Sequence, residues 1–259
     1  VHGGERFSAP VLVSNEIIRA IERLAPLAPL HNPASALGLR AIQKKWPHMP
    51  QVCVFDTAFH RSMPEHVWRY ALPEEMYSEY GVRRYGFHGT SHDYVTGEAA
   101  RFLGVERDSF DAVVAHLGNG ASMCAIRGGR SVESTMGFTA LDGLAMGTRS
   151  GQIDPGVLLH LIGAAGMTVP EVTRLLYHDS GLKGLSGISS DMRDLERSDD
   201  PRAARAIDYF VHAIRRQLGA LAASIGGLDA LVFTAGIGEN SAMVRRRVCE
   251  GMEWLGISL

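Results

Sequence analysis

A chain of 259 residues, 46% of them hydrophobic, is long enough to bury a sizeable core and stands between one large domain and two. Charged residues make up 21% and nearly cancel, to a formal −2, which gives no overall attraction for nucleic acid or an anionic membrane, so any bound anion must be held by local groups. Cys53, Cys124 and Cys249 form no CxxC pair, and no run approaches the roughly 18 apolar residues of a membrane helix, which makes a reducing cytoplasm the expected location.

In chain order, Ile17, Ile18, Ile21 and Leu24 recur at a helical period and predict a helix over Asn15–Leu24, ended by Pro26, Pro29 and Pro33. A second helix is expected over Ala34–Lys45. Val52 to Phe55 is a short run of β-formers closed by Asp56, a strand with an acid at its mouth. Thr90 or Ser91 is the expected cap of a helix reaching about Leu103, which leaves His88 in the preceding loop and His92 in the first turn. Asp111–Leu117 and Ala121–Ile126 read as strands of a hairpin around Gly118-Asn119-Gly120. Gly143–Pro155 is a polar glycine-rich loop, with Asp154-Pro155 starting a helix through Ile162. Helices follow over Pro170–Tyr177 and Pro201–Ile225, then a buried strand Ala230–Thr234, a glycine turn Ala235–Glu239 and a helix Asn240–Met252. Both termini read as cut: Val1 opens straight onto the turn-like His2-Gly3-Gly4-Glu5, and Gly256–Leu259 reads as a strand just starting. The expectation is a piece of a longer protein.

A turn without bulky side chains lets backbone N–H groups approach an anion, and Gly118-Asn119-Gly120 offers that with Asn119 as a further donor; the same residues also make an ordinary hairpin tip. Gly236 and Gly238 admit two readings as well, phosphate approach or tight strand-to-helix packing. His88 and His92 are four apart, the zinc spacing on a helix, but the cap signal takes His88 off the helix and no third ligand stands nearby, so metal is the lesser reading. His116 fits a core histidine or a site group, and Arg149 among Gly147, Thr148, Ser150 and Gly151 fits a solvated charge or an anion contact. Asp56 and Asp191 fit caps or binding acids, and Arg245-Arg246-Arg247 a solvated helix face. Together, two glycine turns, an arginine loop, two loop histidines and a strand-end aspartate are what phosphoryl transfer needs, because its transition state spreads negative charge over equatorial oxygens that require fixed donors.

Five segments carry a resemblance: His2-Gly3-Gly4-Glu5, Tyr85-Gly86-Phe87-His88-Gly89-Thr90-Ser91-His92, His116-Leu117-Gly118-Asn119-Gly120, Met146-Gly147-Thr148-Arg149-Ser150-Gly151 and Thr234-Ala235-Gly236-Ile237-Gly238-Glu239-Asn240-Ser241. In this order they resemble the motifs of the acetate kinase family, over essentially the whole chain. The resemblance implies the α/β, two-domain fold shared by sugar kinases, Hsc70 and actin, ribonuclease H-like, with a cleft between domains and truncated at both ends. Residues 1–105 would be the remainder of the first domain and 106–259 the nucleotide-binding domain.

By the same resemblance, Arg149 and His88 stabilise the transferring phosphoryl and Asp56 organises the metal and substrate end. His116, Leu117, Gly118, Asn119 and Gly120 face the ATP phosphates, while Asp191, Met192, Arg193 and Gly236, Ile237, Gly238, Glu239 and Asn240 border the adenosine. Val1, Leu30, Phe87 and Ala140 form the apolar wall at the acetate methyl, with Ala140 where many family members carry proline. The implied reaction is reversible ATP-dependent phosphorylation of acetate, with propionate or butyrate as the alternative acid and ADP as the other product. The implied assembly is a homodimer, without nucleic acid or membrane. The carboxylate-holding arginine and the Mg²⁺ ligands of the family are expected outside the given ends, with no metal ligand within this chain. Hence the 259 residues alone are expected to be a nucleotide-binding module without turnover.

Overall fold

The computed structural model describes residues 1–29 and 31–258; Leu30 and Leu259 lie outside it. The chain opens with β1 (Val11–Leu12), α1 (Asn15–Arg23), α2 (Asn32–Lys45) and β2 (Val52–Cys53), and β1 pairs antiparallel with β2. Ser14 caps α1 by accepting from the Ile17 N–H, and Ile18, Ala20 and Ile21 bury its inner face against Phe7, Cys53 and Phe55. Phe7 and Phe55 stack at 4.3 Å between centroids, the centre of this first core. Two short helices, α3 (Glu65–Trp68) and α4 (Glu74–Ser78), lead to the long α5 (Gly89–Leu103).

The second part is a four-stranded sheet in the order β5-β4-β3-β6, where β3 is Ala112–Leu117, β4 Ala121–Arg127, β5 Arg130–Ser134 and β6 Ala230–Thr234. β3, β4 and β5 form an antiparallel meander and β6 joins β3 in parallel. Between β5 and β6 run α6 (Pro155–Gly163), α7 (Val169–His178), α8 (Gly181–Ser186), α9 (Met192–Glu196) and α10 (Pro201–Ile225); after β6 come α11 (Ala235–Asn240) and α12 (Ala242–Cys249).

Strand alternation divides the sheet between two cores. Val113, Ala115 and Leu117 of β3, with Ala121, Met123 and Ala125 of β4, face Phe210, Ile214 and Leu218 of α10 in the main core. Ala112, Val114, Cys124 and Ile126 point to the other face, where Val95, Ala99 and Ala100 of α5 cover them. Both faces are therefore dry, which explains why β3 and β4 read as continuous apolar runs. The same alternation puts His116 and its cross-strand partner Ser122 on the α5 face, near its N-terminus.

Several boundaries differ from the sequence reading. α5 starts at Gly89, not after a Thr90 or Ser91 cap: His88 takes the cap position in the left-handed region, φ 55°, and makes no side-chain cap. Ser91 Oγ meets His116 Nδ1 instead. The expected strand at Val52–Phe55 pairs over Val52–Cys53 alone, and α2 begins at Asn32 rather than Ala34. The glycine segment after β6 is helical, and the run breaks at Ser241, whose hydroxyl accepts from the Val244 N–H to start α12. Ala235, at φ 65°, makes the corner from strand to helix. Residues 256–258 form no strand. Of the three arginines read as a solvated face, Arg246 is exposed, while Arg245 donates to the Gly238 and Glu239 carbonyls and Arg247 pairs with Asp208. Among the described residues, no helix is long and apolar enough to cross a membrane.

Candidate active site

The hairpin tip and the arginine loop interlock through their glycines. The Gly147 N–H donates to the Asn119 carbonyl at 3.0 Å, and a Cβ on Gly147 would overlap Asn119 Oδ1. A Cβ on Gly120 would meet Arg149 Nη2 at 3.4 Å and His88 Nε2 at 3.5 Å. The bare edge of Gly120 is thus flanked by two nitrogen-bearing side chains from different segments. The Arg149 loop is stitched to the start of α8 by the Ser180, Leu182 and Lys183 N–H groups, which donate to the carbonyls of Thr148, Met146 and Gly147. Arg149 Nη1 donates to the Ala140 carbonyl at 2.8 Å, and burial lowers the guanidinium pKa without neutralising it.

His88 is held from three sides. Its N–H donates to Asp56 Oδ2 at 2.9 Å, its Nδ1 lies 2.9 Å from Ser122 Oγ, and its ring stacks on His116 at 4.2 Å. Burial first, and His116 second, push its pKa down to about 4. Asp56 also ties in the chain start, since its N–H donates to the Val1 carbonyl. Phe87 is buried in the main core, and Ala140 packs on that core's edge. Of the expected apolar wall, Val1 is tied through Asp56 to His88, the neighbour of Phe87, and Ala140 separately to Arg149; Leu30 is outside the described residues.

Beside the hairpin tip opens a cavity of about 770 Å³. Gly118, Asn119, Asp191, Met192, Arg193, Gly236, Ile237 and Asn240 line it, all from the set expected to face ATP. His116, Leu117, Gly120, Gly238 and Glu239 are not among its lining residues. Glu239 turns back to accept from Thr234 Oγ1 and the Ala235 N–H, bracing the strained corner. Asp191 caps α9 through the Arg193 N–H and pairs with the Arg193 guanidinium, so the cap and the wall of the cavity are one residue. Sequence reasoning missed Glu196 and Ser241, which also line the cavity and bond each other at 2.5 Å; a serine capping a helix was the signal available.

His60 and His92 lie beneath His88. His60 Nε2 donates to the Phe87 carbonyl at 2.8 Å, so Nδ1 accepts from Ser131 Oγ. Burial lowers the His60 pKa to about 4 and that of His92 well below its ordinary value. The unfolded chain then takes up protons first as pH falls, so this stability is present above about pH 6.5 and lost toward pH 4. Two such protons give a slope of roughly 2.7 kcal/mol per pH unit at most. Urea unfolding at pH 7 and pH 5 checks this, and an unchanged free energy between them would show that the histidines stay protonatable in the fold.

Against known proteins, the sequence model of the acetokinase family matches residues 1–259. The chain belongs to the acetokinase family. It is 60% identical over 263 residues to an acetate kinase of Kocuria rhizophila, covering 100% of this chain and 64% of that protein. The acetokinase fold is equally plain in solved structures. The crystal structure of Porphyromonas gingivalis acetate kinase superposes with a TM-score of 0.94 at 49% identity, over 99% of this chain and 65% of that one. A propionate kinase from Francisella tularensis also gives 0.94, at 43% identity, over 98% and 66%. The chain therefore spans about two thirds of these acetokinase relatives.

Proposed function

We propose that the protein transfers the γ-phosphoryl group of ATP to acetate, giving acetyl phosphate and ADP. One observation carries the reading: the 770 Å³ cavity and the Arg149–His88 pair meet at the two ends of a single glycine hairpin tip, Gly118 and Gly120. A nucleotide in the cavity would have its phosphates led along backbone N–H groups and Asn119 to the place where a guanidinium and an imidazole stand side by side. In-line transfer is catalysed mainly by such positioning and by donors fixed around the developing charge.

Asp56 accepts from the His88 N–H through Oδ2, which leaves its second oxygen outside that bond. Among the described residues no group of three potential ligands could cage a metal. A single carboxylate fits the way Mg²⁺ binds nucleotide enzymes, through one or two acids, waters and the substrate phosphates. Held there with the substrate, Mg²⁺ would supply positive charge against the phosphate oxygens. The remaining work falls to the chain: Arg149 holds charge, His88 donates or orients, and Phe87, Val1 and Ala140 border the acid's methyl.

A cytoplasmic homodimer is part of this reading. The dimer draws support from α6, which carries Val157, Leu159 and Ile162 at 44%, 73% and 42% exposure and no buried residue. We also divide the chain near residue 105, with the two-stranded sheet before it and the four-stranded sheet after, and α5 packed on the latter. The test is hydroxylamine trapping of acyl phosphate by the full-length protein with ATP, Mg²⁺ and acetate or propionate. Acetate is expected to give the higher kcat/KM, with propionate used within roughly 200-fold, the range one methylene commands. No acyl phosphate from either acid would overturn the reading.

A further inference from the structure

We propose that Ser122 is a positioning residue: together with His92 it orders the protons so that His88 presents a donating Nε2–H to the space it shares with Arg149. The inference rests on the proposed phosphoryl transfer for its purpose, though not for its geometry. Ser122 is fully buried in β4, and its Oγ lies 2.9 Å from His88 Nδ1 and 2.9 Å from His92 Nε2. A hydroxyl carries a single hydrogen, so between two neutral imidazoles it donates to one and accepts from the other.

That leaves two possible orders. In the first, His92 Nε2–H donates to Ser122 Oγ, Ser122 O–H donates to His88 Nδ1, and His88 keeps its proton on Nε2. In the second every proton is reversed: His88 Nδ1–H donates to Ser122, Ser122 donates to His92 Nε2, and His88 turns a bare lone pair toward the site. The buried end of the chain chooses. His92 is wholly inaccessible, and its Nδ1 has no partner among the described residues. The second order would bury an unpaired N–H there, whereas the first leaves only an unused lone pair, the better tolerated of the two defects. The first order also puts both rings in the Nε2–H form that neutral histidine ordinarily prefers.

Neutral rings are what the surroundings enforce. His92 is kept neutral by complete burial, and burial together with the His116 ring stacked at 4.2 Å does the same for His88. His60 packs at 5.7 Å from His92, and its own bonds to Phe87 and Ser131 leave it no proton to lend. The outcome is directional. His88 Nε2, near the edge of Gly120 with Arg149 Nη2, becomes a neutral donor toward an anion, where a lone pair would repel it.

The experiment reads imidazole nitrogen shifts by ¹⁵N NMR in the full-length protein, alongside acyl phosphate formation. In the wild type, His88 Nε2 is expected to be protonated and Nδ1 bare. Ser122→Ala should give His88 as a mixture of tautomers and lower kcat by roughly tenfold or more with KM for ATP within about twofold. His92→Gln, whose amide nitrogen can donate where Nε2 did, should keep the wild-type tautomer and most of kcat; His92→Leu should behave like Ser122→Ala. A wild-type His88 protonated on Nδ1, or a His88 tautomer unchanged in Ser122→Ala, overturns the proposal. If the tautomers come out as expected but no acid is phosphorylated, the proton order stands and the proposed function falls.

Discussion

Replacing Arg149 with alanine in the full-length protein is expected to lower kcat by about 10³-fold while leaving KM for ATP within a few-fold. The asymmetry follows from where the guanidinium sits. It lines no part of the 770 Å³ cavity proposed for the nucleotide, so on that proposal ground-state binding of ATP should depend little on it. It is instead held beside Gly120 and His88, half-buried, with one nitrogen committed to the Ala140 carbonyl and the other turned to the shared space. A charge in that position meets the phosphoryl most strongly when its oxygens carry the most negative charge, which is the transition state. Steady-state kinetics decide the matter: near-normal kcat with lost ATP affinity would move Arg149 from chemistry to binding.

The second large effect concerns a residue that touches no substrate. Gly181→Ala is expected to destabilise the fold by about 3 kcal/mol, the combined scale of a left-handed alanine and an overpacked methyl, and to lower Tm by roughly 10 °C. Gly181 sits at φ 61°, and a Cβ there would overlap the Met146 carbonyl oxygen and lie 2.7 Å from that of Arg149. The obstacle is backbone, not a side chain that can swing aside. Relief must come from pulling α8 away from the arginine loop, breaking the stitches from Leu182 and Lys183. Activity should therefore fall along with stability. Thermal unfolding followed by circular dichroism tests this, and a Tm within about 2 °C of the parent would mean that the loop and α8 are not one unit.

What the sequence made legible was whatever a local pattern encodes. α10 starts and ends where expected because proline opens it after Asp200, a long apolar stripe sustains it and Gly226 closes it. α6 likewise begins at Asp154-Pro155 as expected. The residues that line the 770 Å³ cavity mostly fall in the short contiguous motifs that carry the resemblance. The start of α5 was not legible, because Thr90 and Ser91 looked like caps while Ser91 was needed by His116, a strand residue 25 positions away. Glu239 was equally opaque: its carboxylate serves the corner at Ala235, a conformation no composition rule expects of alanine. Ser122 had no signal at all, since its role exists only where strand alternation and the N-terminus of α5 bring three side chains together.

Among the described residues, His88 and Ala235 alone are non-glycines with positive φ, and for His88 this has a consequence for adaptation. A left-handed residue with a side chain costs about 1–2 kcal/mol that glycine would not incur. Selection for endurance alone would thus favour discarding the imidazole, whereas under the role proposed for His88 selection for turnover would keep it and tolerate the debt. Lineages moving to hotter surroundings cannot recover that energy at position 88 and must find it elsewhere, in helix caps, loops or subunit contacts. A library ranked purely by heat resistance would carry the opposite bias, enriching for durable proteins disarmed at this one backbone angle.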